Sequence, residues 1–141
     1  TERIKDLFKT SNGKYIVPQA LESQLSIDKY IDQIAIIADK RKFVSALIIP
    51  DYHLVEKFAT EHNIKYENEE ELLNDKEVKA LYQQRIDTLQ QKFAHYEQIK
   101  RFTLLPTPFT MERNELTNTL KLKRNVILEN YKDVIDKMYE E

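Results

Sequence analysis

The spacing of hydrophobic positions divides this chain into short strands and helices. Two runs rich in β-branched residues, QIAIIA at 33–38 and FVSALII at 43–49, flank the charged segment 39–42. They predict two sheet strands joined by a solvated turn, with the turn a surface loop rather than a ligand site. Apolar residues recur every three to four positions in four other segments, and this spacing predicts helices there. The predicted helices are 18–26, 51–62, 76–96 and 122–138.

Alternation at the N-terminus and near residue 100 adds further strands. Residues 3–9 alternate, residues 11–14 have turn chemistry with Gly13 free to take a positive φ, and residues 15–17 are extended again, which predicts a β-hairpin. Residues 99–105 alternate and end at Pro106, as a strand does. The elements together predict an α+β fold: a small mixed or antiparallel sheet and an N-terminal β-hairpin, covered by helices.

Composition narrows the classes of function. The 141 residues suffice for one domain, and 22 basic side chains nearly balance 24 acidic ones, so no overall charge attracts nucleic acid. The absence of Cys and the presence of three His exclude a thiolate cluster and indicate no metal site. No segment is long and apolar enough to span a bilayer, and a soluble, cytoplasmic domain is expected. A single Gly argues against a self-sufficient nucleotide-binding fold.

Candidate chemistry is confined to two basic segments. No H-x-x-x-H, G-x-S-x-G or Cys-His template is present, and the carboxylates fall in runs typical of solvated faces. The first basic segment is R-x-K-D-x-x-K at 3–9, and the second is L-T-N-T-L-K-L-K-R at 116–124, before the last helix. Lysines at such positions suit phosphate or carboxylate oxygens. Read by composition alone, the same residues are solvated charge at strand edges.

The order of these motifs resembles a known family. R-x-K-D-x-x-K, a Gly-containing turn and I-x-P-x-x-L-E are followed about a hundred residues later by L-T-x-T-x-K-x-K-R and a terminal helix. This order resembles the C-terminal domain of acyl-adenylate-forming enzymes, and within them the long-chain fatty acid CoA ligases, whose last motif has the L-T-x-T form. The resemblance spans the whole chain. It implies that residues 1–141 are one mobile lid domain, cut from a longer enzyme and inactive alone.

The resemblance also implies a two-step reaction. ATP and a fatty acid give an acyl-adenylate, and CoA then displaces AMP, while the lid rotates between the steps and presents a different face to each. The implied partner is the enzyme's own N-terminal catalytic domain, which would hold most of the ATP and its Mg²⁺. No nucleic acid is implied, and the parent enzyme could associate peripherally with membranes.

Individual roles follow from the resemblance. Lys121 matches the lysine that bridges the fatty-acid carboxylate and the α-phosphate during adenylation. Lys5 stands at the hinge, Arg3 matches an arginine that contacts the ribose, and Lys9 matches a second lysine that contacts AMP. Gly13 matches a glycine beside the CoA pantetheine tunnel.

Three departures from the family pattern leave alternatives open. The commoner last motif is G-K-x-x-[RK]-R, and a gap-free alignment on the final Lys-Arg puts Leu120 at the lysine position, so Lys123 competes with Lys121. Asn114 stands where many relatives have Gly. The loop at residues 11–12 is one residue longer than the commoner form. Alternative functions are a ligase for a medium-chain or aryl acid, and a binding-only module for anions or nucleic acid.

Overall fold

A computed structural model describes residues 7–140 of the chain. Within these residues, five strands form two sheets: a two-stranded hairpin and a three-stranded sheet with the order β3-β4-β5. The strands are β1 (Phe8–Lys9), β2 (Tyr15–Ile16), β3 (Ile31–Ile37), β4 (Val44–Pro50) and β5 (Ile99–Leu104). The helices are α1 (Pro18–Leu25), α2 (Tyr52–Glu61), α3 (Glu69–Leu73), α4 (Lys76–Leu89), α5 (Arg124–Asn130) and α6 (Lys132–Met138). The predicted α+β class is confirmed.

In the three-stranded sheet, β4 and most of β3 are buried on both faces. In β3, Ile34 and Ile36 pack toward α1, α2 and α4, whereas Ala35 and Ile37 pack toward α5 and α6. A strand covered on both faces must be apolar at consecutive positions, which explains the uninterrupted hydrophobic runs in the sequence. β4 lies in the centre, antiparallel to β3 and parallel to β5, so the sheet is mixed.

Local signals account for the helix starts. Pro18 begins α1, where its missing N–H costs no hydrogen bond. Asp51 accepts a hydrogen bond from the backbone N–H of Leu54 and caps α2, as predicted. Asp75 accepts bonds from the N–H groups of Glu77 and Val78 at the start of α4.

Two helix predictions were wrong in extent. α4 ends at Leu89 instead of continuing to Tyr96, because Gln90 turns its side chain into the sheet. The Gln90 amide donates to the carbonyl oxygen of Ile99 at 3.2 Å and accepts from the Ile99 N–H at 2.7 Å. The C-terminal tail is two helices broken at Tyr131, whose ring packs edge-on to Phe109 at 6.1 Å. Both breaks accompany contacts with residues outside the helix, Ile99 in the first case and Phe109 in the second.

The N-terminal hairpin is confirmed at Phe8–Lys9 and Tyr15–Ile16, and it packs on the β3–β4 turn. The N–H of Lys40 donates to the carbonyl oxygen of Lys9, and the N–H of Ser11 donates to that of Arg41, each at 2.8 Å. The β3–β4 turn therefore supports the hairpin as well as forming a surface loop.

Candidate functional site

Lys121 lies at the end of a tight loop closed by backbone pairing. Leu116 and Leu122 form an antiparallel bridge, and the N–H of Thr117 donates to the carbonyl oxygen of Lys121 at 2.8 Å. The Thr117 hydroxyl accepts from the backbone N–H of Lys121 at 3.1 Å and from that of Thr119 at 3.3 Å. The L-T-N-T-L-K segment is therefore held by its own threonine, and we call residues 116–122 the lysine loop.

Leu120 has a left-handed backbone conformation immediately before Lys121. Its φ is 65°, and the residue is 64% exposed. Glycine adopts this conformation at no steric cost, whereas leucine does not. Leu120 thus has the backbone geometry that suits the glycine preceding the lysine in the commoner G-K form of the motif.

The two candidate lysines differ in their contacts. The Nζ of Lys123 donates to the Oδ1 of Asn114 at 2.6 Å, and its backbone N–H donates to the carbonyl oxygen of Glu115 at 2.8 Å. Lys121 is exposed, and within residues 7–140 its ammonium makes no hydrogen bond or ion pair. Asn114 has a φ of 61°, a left-handed conformation that asparagine and glycine adopt more readily than other residues. In this chain, Asn114 tethers Lys123 and leaves Lys121 available.

Glu115 is a buried carboxylate at the base of the lysine loop. Its side chain is fully buried and accepts from the backbone N–H of Thr110 at 3.3 Å and from the side-chain amide of Asn130 at 3.1 Å. The guanidinium of Arg113 lies 3.3 Å away. This carboxylate connects the loop to the preceding segment and to α5.

The second predicted contact surface is the turn between β1 and β2. Gly13 has a φ of 84°, and its N–H donates to the carbonyl oxygen of Thr10 at 2.9 Å. A Cβ placed on Gly13 would meet no atom within 4 Å, so the space beside it is open in this domain. Glycine is required here by the backbone conformation, and the open side could accommodate a ligand. Lys9 is exposed, with its ammonium 5.6 Å from the centre of the Tyr15 ring.

Arg3 and Lys5, the predicted ribose contact and hinge, lie outside the described residues. Their roles stay predictions.

The predicted site residues do not share an enclosed cavity. A groove of about 520 Å³ lies between β3 and α5, but its lining includes none of Lys9, Gly13, Lys121 and Lys123. Lys9, Gly13 and Lys121 are exposed, and Lys123 is half-buried. A second protein surface is therefore needed to enclose any ligand that they contact.

An ion pair that the motifs did not predict joins the two motif segments. Arg124, at the start of α5, donates through both terminal nitrogens to Glu22 on α1, at 2.6 and 2.7 Å. Both residues stand in the quoted motifs, as the final R and the E of I-x-P-x-x-L-E. Their opposite charges are compatible with an ion pair, but the 102 positions between them gave no reason to pair these two residues.

Two further properties concern metals and membranes. Within the part of the chain that the structure describes, no group of three or more His, Asp or Glu side chains is arranged to hold a metal ion. Among those same residues, every helix is too short or too polar to cross a membrane.

Comparison with known proteins defines the class. Residues 5–141 match the family described as the AMP-binding enzyme C-terminal domain. The chain therefore belongs to this family, and the resemblance seen in the motifs is confirmed.

Curated relatives cover nearly the whole chain. Long chain acyl-CoA synthetase 7, peroxisomal, of Arabidopsis thaliana is 32% identical over 143 residues, which are 99% of this chain and 20% of that protein. Long-chain-fatty-acid--CoA ligase 1 of Schizosaccharomyces pombe is 34% identical over 145 residues, or 99% of this chain and 21% of that protein. The chain thus spans about a fifth of the length of these relatives.

Solved structures share the fold. The adenylation domain of a carboxylate reductase from Mycobacterium chelonae superposes with a TM-score of 0.79 at 21% identity, covering 98% of this chain and 20% of that one. A Mycobacterium tuberculosis fatty acyl CoA synthetase superposes with a TM-score of 0.57 at 17% identity, covering 94% of this chain and 21% of that one. At these identities the comparison establishes the fold alone.

Proposed function

We propose that this chain is the mobile C-terminal lid of a long-chain fatty acid CoA ligase. The observation that carries the proposal is the match, at 30–34% identity across 98–99% of the chain, to curated long-chain acyl-CoA synthetases and fatty-acid CoA ligases. The parent enzyme would convert a fatty acid and ATP to acyl-AMP and pyrophosphate, and then transfer the acyl group from AMP to the CoA thiol. The exposure of Lys9, Gly13 and Lys121 fits a domain that completes a site on another surface.

Lys121 is our choice for the adenylation lysine. Lys121 is solvent-exposed at the end of a loop closed by backbone hydrogen bonds, and it follows Leu120, whose positive φ is a conformation that glycine adopts at no steric cost. Lys123 is tethered to Asn114 and would have to break a 2.6 Å hydrogen bond to act. In the reaction, the ammonium of Lys121 would offset the negative charge that develops between the attacking carboxylate and the α-phosphate.

The remaining ligands and partners belong to the same proposal. ATP would be bound mainly by the N-terminal catalytic domain, together with Mg²⁺, and Arg3 and Lys9 would contribute contacts to the nucleotide. Gly13 would lie beside the pantetheine arm of CoA in the second step, and Lys5 would act as the hinge between the two poses. The location of the parent enzyme in the cytoplasm, with peripheral membrane contact, is also part of the proposal.

The two half-reactions of the full-length enzyme test these roles. Lys121→Ala should slow acyl-adenylate formation by about a hundredfold, the scale of removing one aligned charge-stabilising group, and should spare thioester formation from supplied acyl-AMP. Gly13→Leu should do the reverse, because its side chain would project into the CoA path and would also strain the φ of 84° in the turn that forms this face. Lys123→Ala is the matched control.

Three results would contradict the proposal. A large adenylation defect in Lys123→Ala alone would show that Lys123, and not Lys121, is the adenylation lysine. Equal defects in both steps for all three variants would refute a lid that presents a different face to each step. Robust acyl-CoA synthesis by the 141-residue chain alone would refute its role as a lid. Comparing long-chain, medium-chain and aryl acids as substrates tests the acyl class.

A further inference from the structure

The contact between Arg124 and Glu22 connects the elements that carry the two proposed faces. Arg124 begins α5, three residues after Lys121, and Glu22 lies on α1, which follows the hairpin containing Gly13. The two residues are 102 positions apart in sequence. This ion pair therefore joins the end of the lysine loop to the helix next to the hairpin.

The geometry of this pair restricts both partners. The guanidinium and carboxylate form two parallel bonds, and the side chains are only 20% and 13% exposed. A bidentate pair of this kind fixes direction as well as distance. The same carboxylate also accepts the backbone N–H of Ile36 in β3 at 2.9 Å. Glu22 is thus anchored to the sheet while it holds Arg124.

Arg124 makes a second contact on the hairpin itself. Its guanidinium carbon lies 5.3 Å from the centre of the Phe8 ring, in β1. Cations at this distance are attracted to the face of an aromatic ring. Arg124 therefore contacts the strand before Gly13 and, through Glu22, the helix after it.

We propose that Arg124 and Glu22 are positioning residues that hold the lysine loop and the Gly13 hairpin in one fixed relative orientation. This inference rests on the proposed function. A lid that turns as one rigid body must place Lys121 correctly in one pose and the Gly13 hairpin correctly in the other. Loosening the pair should therefore impair both half-reactions, although neither residue touches the reacting atoms.

Arg124→Lys in the full-length ligase tests the proposal. It keeps the positive charge and removes the forked geometry, and we expect the kcat of each half-reaction to fall about tenfold with the KM for ATP little changed. Glu22→Gln repeats the test from the other partner, since its amide oxygen can still accept the N–H of Ile36. Thermal unfolding of each variant identifies the temperature range in which it is folded.

A second forked pair in the chain provides the matched control. Arg85 on α4 donates to both carboxylate oxygens of Asp28, and the two side chains are 33% and 4% exposed. Among the hydrogen bonds and ion pairs of residues 7–140, this pair has none with the hairpin or the lysine loop. Arg85→Lys should lower thermal stability to a similar extent and leave both half-reactions at the wild-type rate. Equal catalytic losses in Arg85→Lys and Arg124→Lys would show that the loss of activity comes from general destabilisation of the domain, and they would overturn the proposal.

A double-mutant cycle separates positioning from a structural effect. If Arg124 acts on adenylation by placing Lys121, Arg124→Lys should slow adenylation no further in a Lys121→Ala background, while thioester formation still falls. Additive losses in adenylation would overturn the proposal. If Lys121→Ala slows adenylation but Arg124→Lys leaves both steps unchanged, this inference fails and the proposed function stands. If Lys121→Ala has no effect, the proposed role of Lys121 has failed, and the inference fails with it.

Discussion

Removing the carboxylate of Glu115 should weaken the packing of the lysine loop on the domain. Glu115 is fully buried, and its two oxygens accept from the backbone N–H of Thr110 and the side chain of Asn130, with the guanidinium of Arg113 at 3.3 Å. These contacts connect the segment before the loop to α5. The expected loss of stability can be worked out contact by contact.

Glu115→Gln keeps one acceptor oxygen and loses the charge. The lost ion pair involves an Arg113 side chain that is 39% exposed, so it contributes less than about 1 kcal/mol, and one weakened hydrogen bond adds a similar amount. We expect a loss of about 1.5 kcal/mol. Glu115→Ala removes both oxygens and leaves the partly buried N–H of Thr110 without its acceptor, so the expected loss is about 3 kcal/mol.

Urea-induced unfolding of the 141-residue chain at pH 7, followed by circular dichroism, measures both values. A loss of 3 kcal/mol corresponds to a change of roughly a hundredfold in the unfolding equilibrium. Glu112→Ala, an exposed glutamate three positions earlier, is the matched control and should change stability by less than about 0.5 kcal/mol. The reasoning is refuted if Glu115→Ala costs less than about 1 kcal/mol or no more than Glu112→Ala.

Two further predictions concern stability. The pKa of Tyr82 is raised above its ordinary value of 10.0, first by burial and then by the carboxylate of Asp28. The neutral phenol therefore contributes fully to the free energy of unfolding below pH 10, and this contribution is lost as the pH rises further. Tyr82→Phe should flatten the decline above pH 10 and cost about 1 kcal/mol at pH 7 from the lost bond to the Tyr30 carbonyl oxygen; an unchanged slope would contradict this. Leu120→Gly should raise the free energy of unfolding by up to about 1 kcal/mol, because glycine relieves the strain of a φ of 65°. Ala80→Gly, on the exposed face of α4, is the control and should lower the free energy of unfolding by about 1 kcal/mol. Urea unfolding measures both values. A clear loss in Leu120→Gly would refute the first expectation.

Local patterns predicted most of the secondary structure. The apolar runs at 33–38 and 43–49 predicted β3 and β4, and Pro18 and Asp51 marked the starts of α1 and α2. These features were predictable because backbone periodicity and helix capping depend on residues within a few positions of one another. The motif order was also readable in sequence, and it led to the correct family.

Contacts between different elements decided what the patterns could not. α4 was expected to continue beyond Leu89, but the hydrogen bonds between Gln90 and Ile99 turn the chain back toward the sheet. The helical spacing after Leu89 persists because Phe93 still packs against the core. The break at Tyr131 likewise accompanies a contact with Phe109, more than twenty residues earlier.

The candidate site shows the same division. The sequence determined which residues carry positive charge and placed Lys121 and Lys123 two positions apart in one motif. The tertiary structure shows that their contacts differ, because the side chain of Asn114 accepts a hydrogen bond from the ammonium of Lys123. It also brought Glu22 to Arg124 across 102 residues. Such pairings depend on how the sheet and helices pack, and no spacing along the chain encodes them.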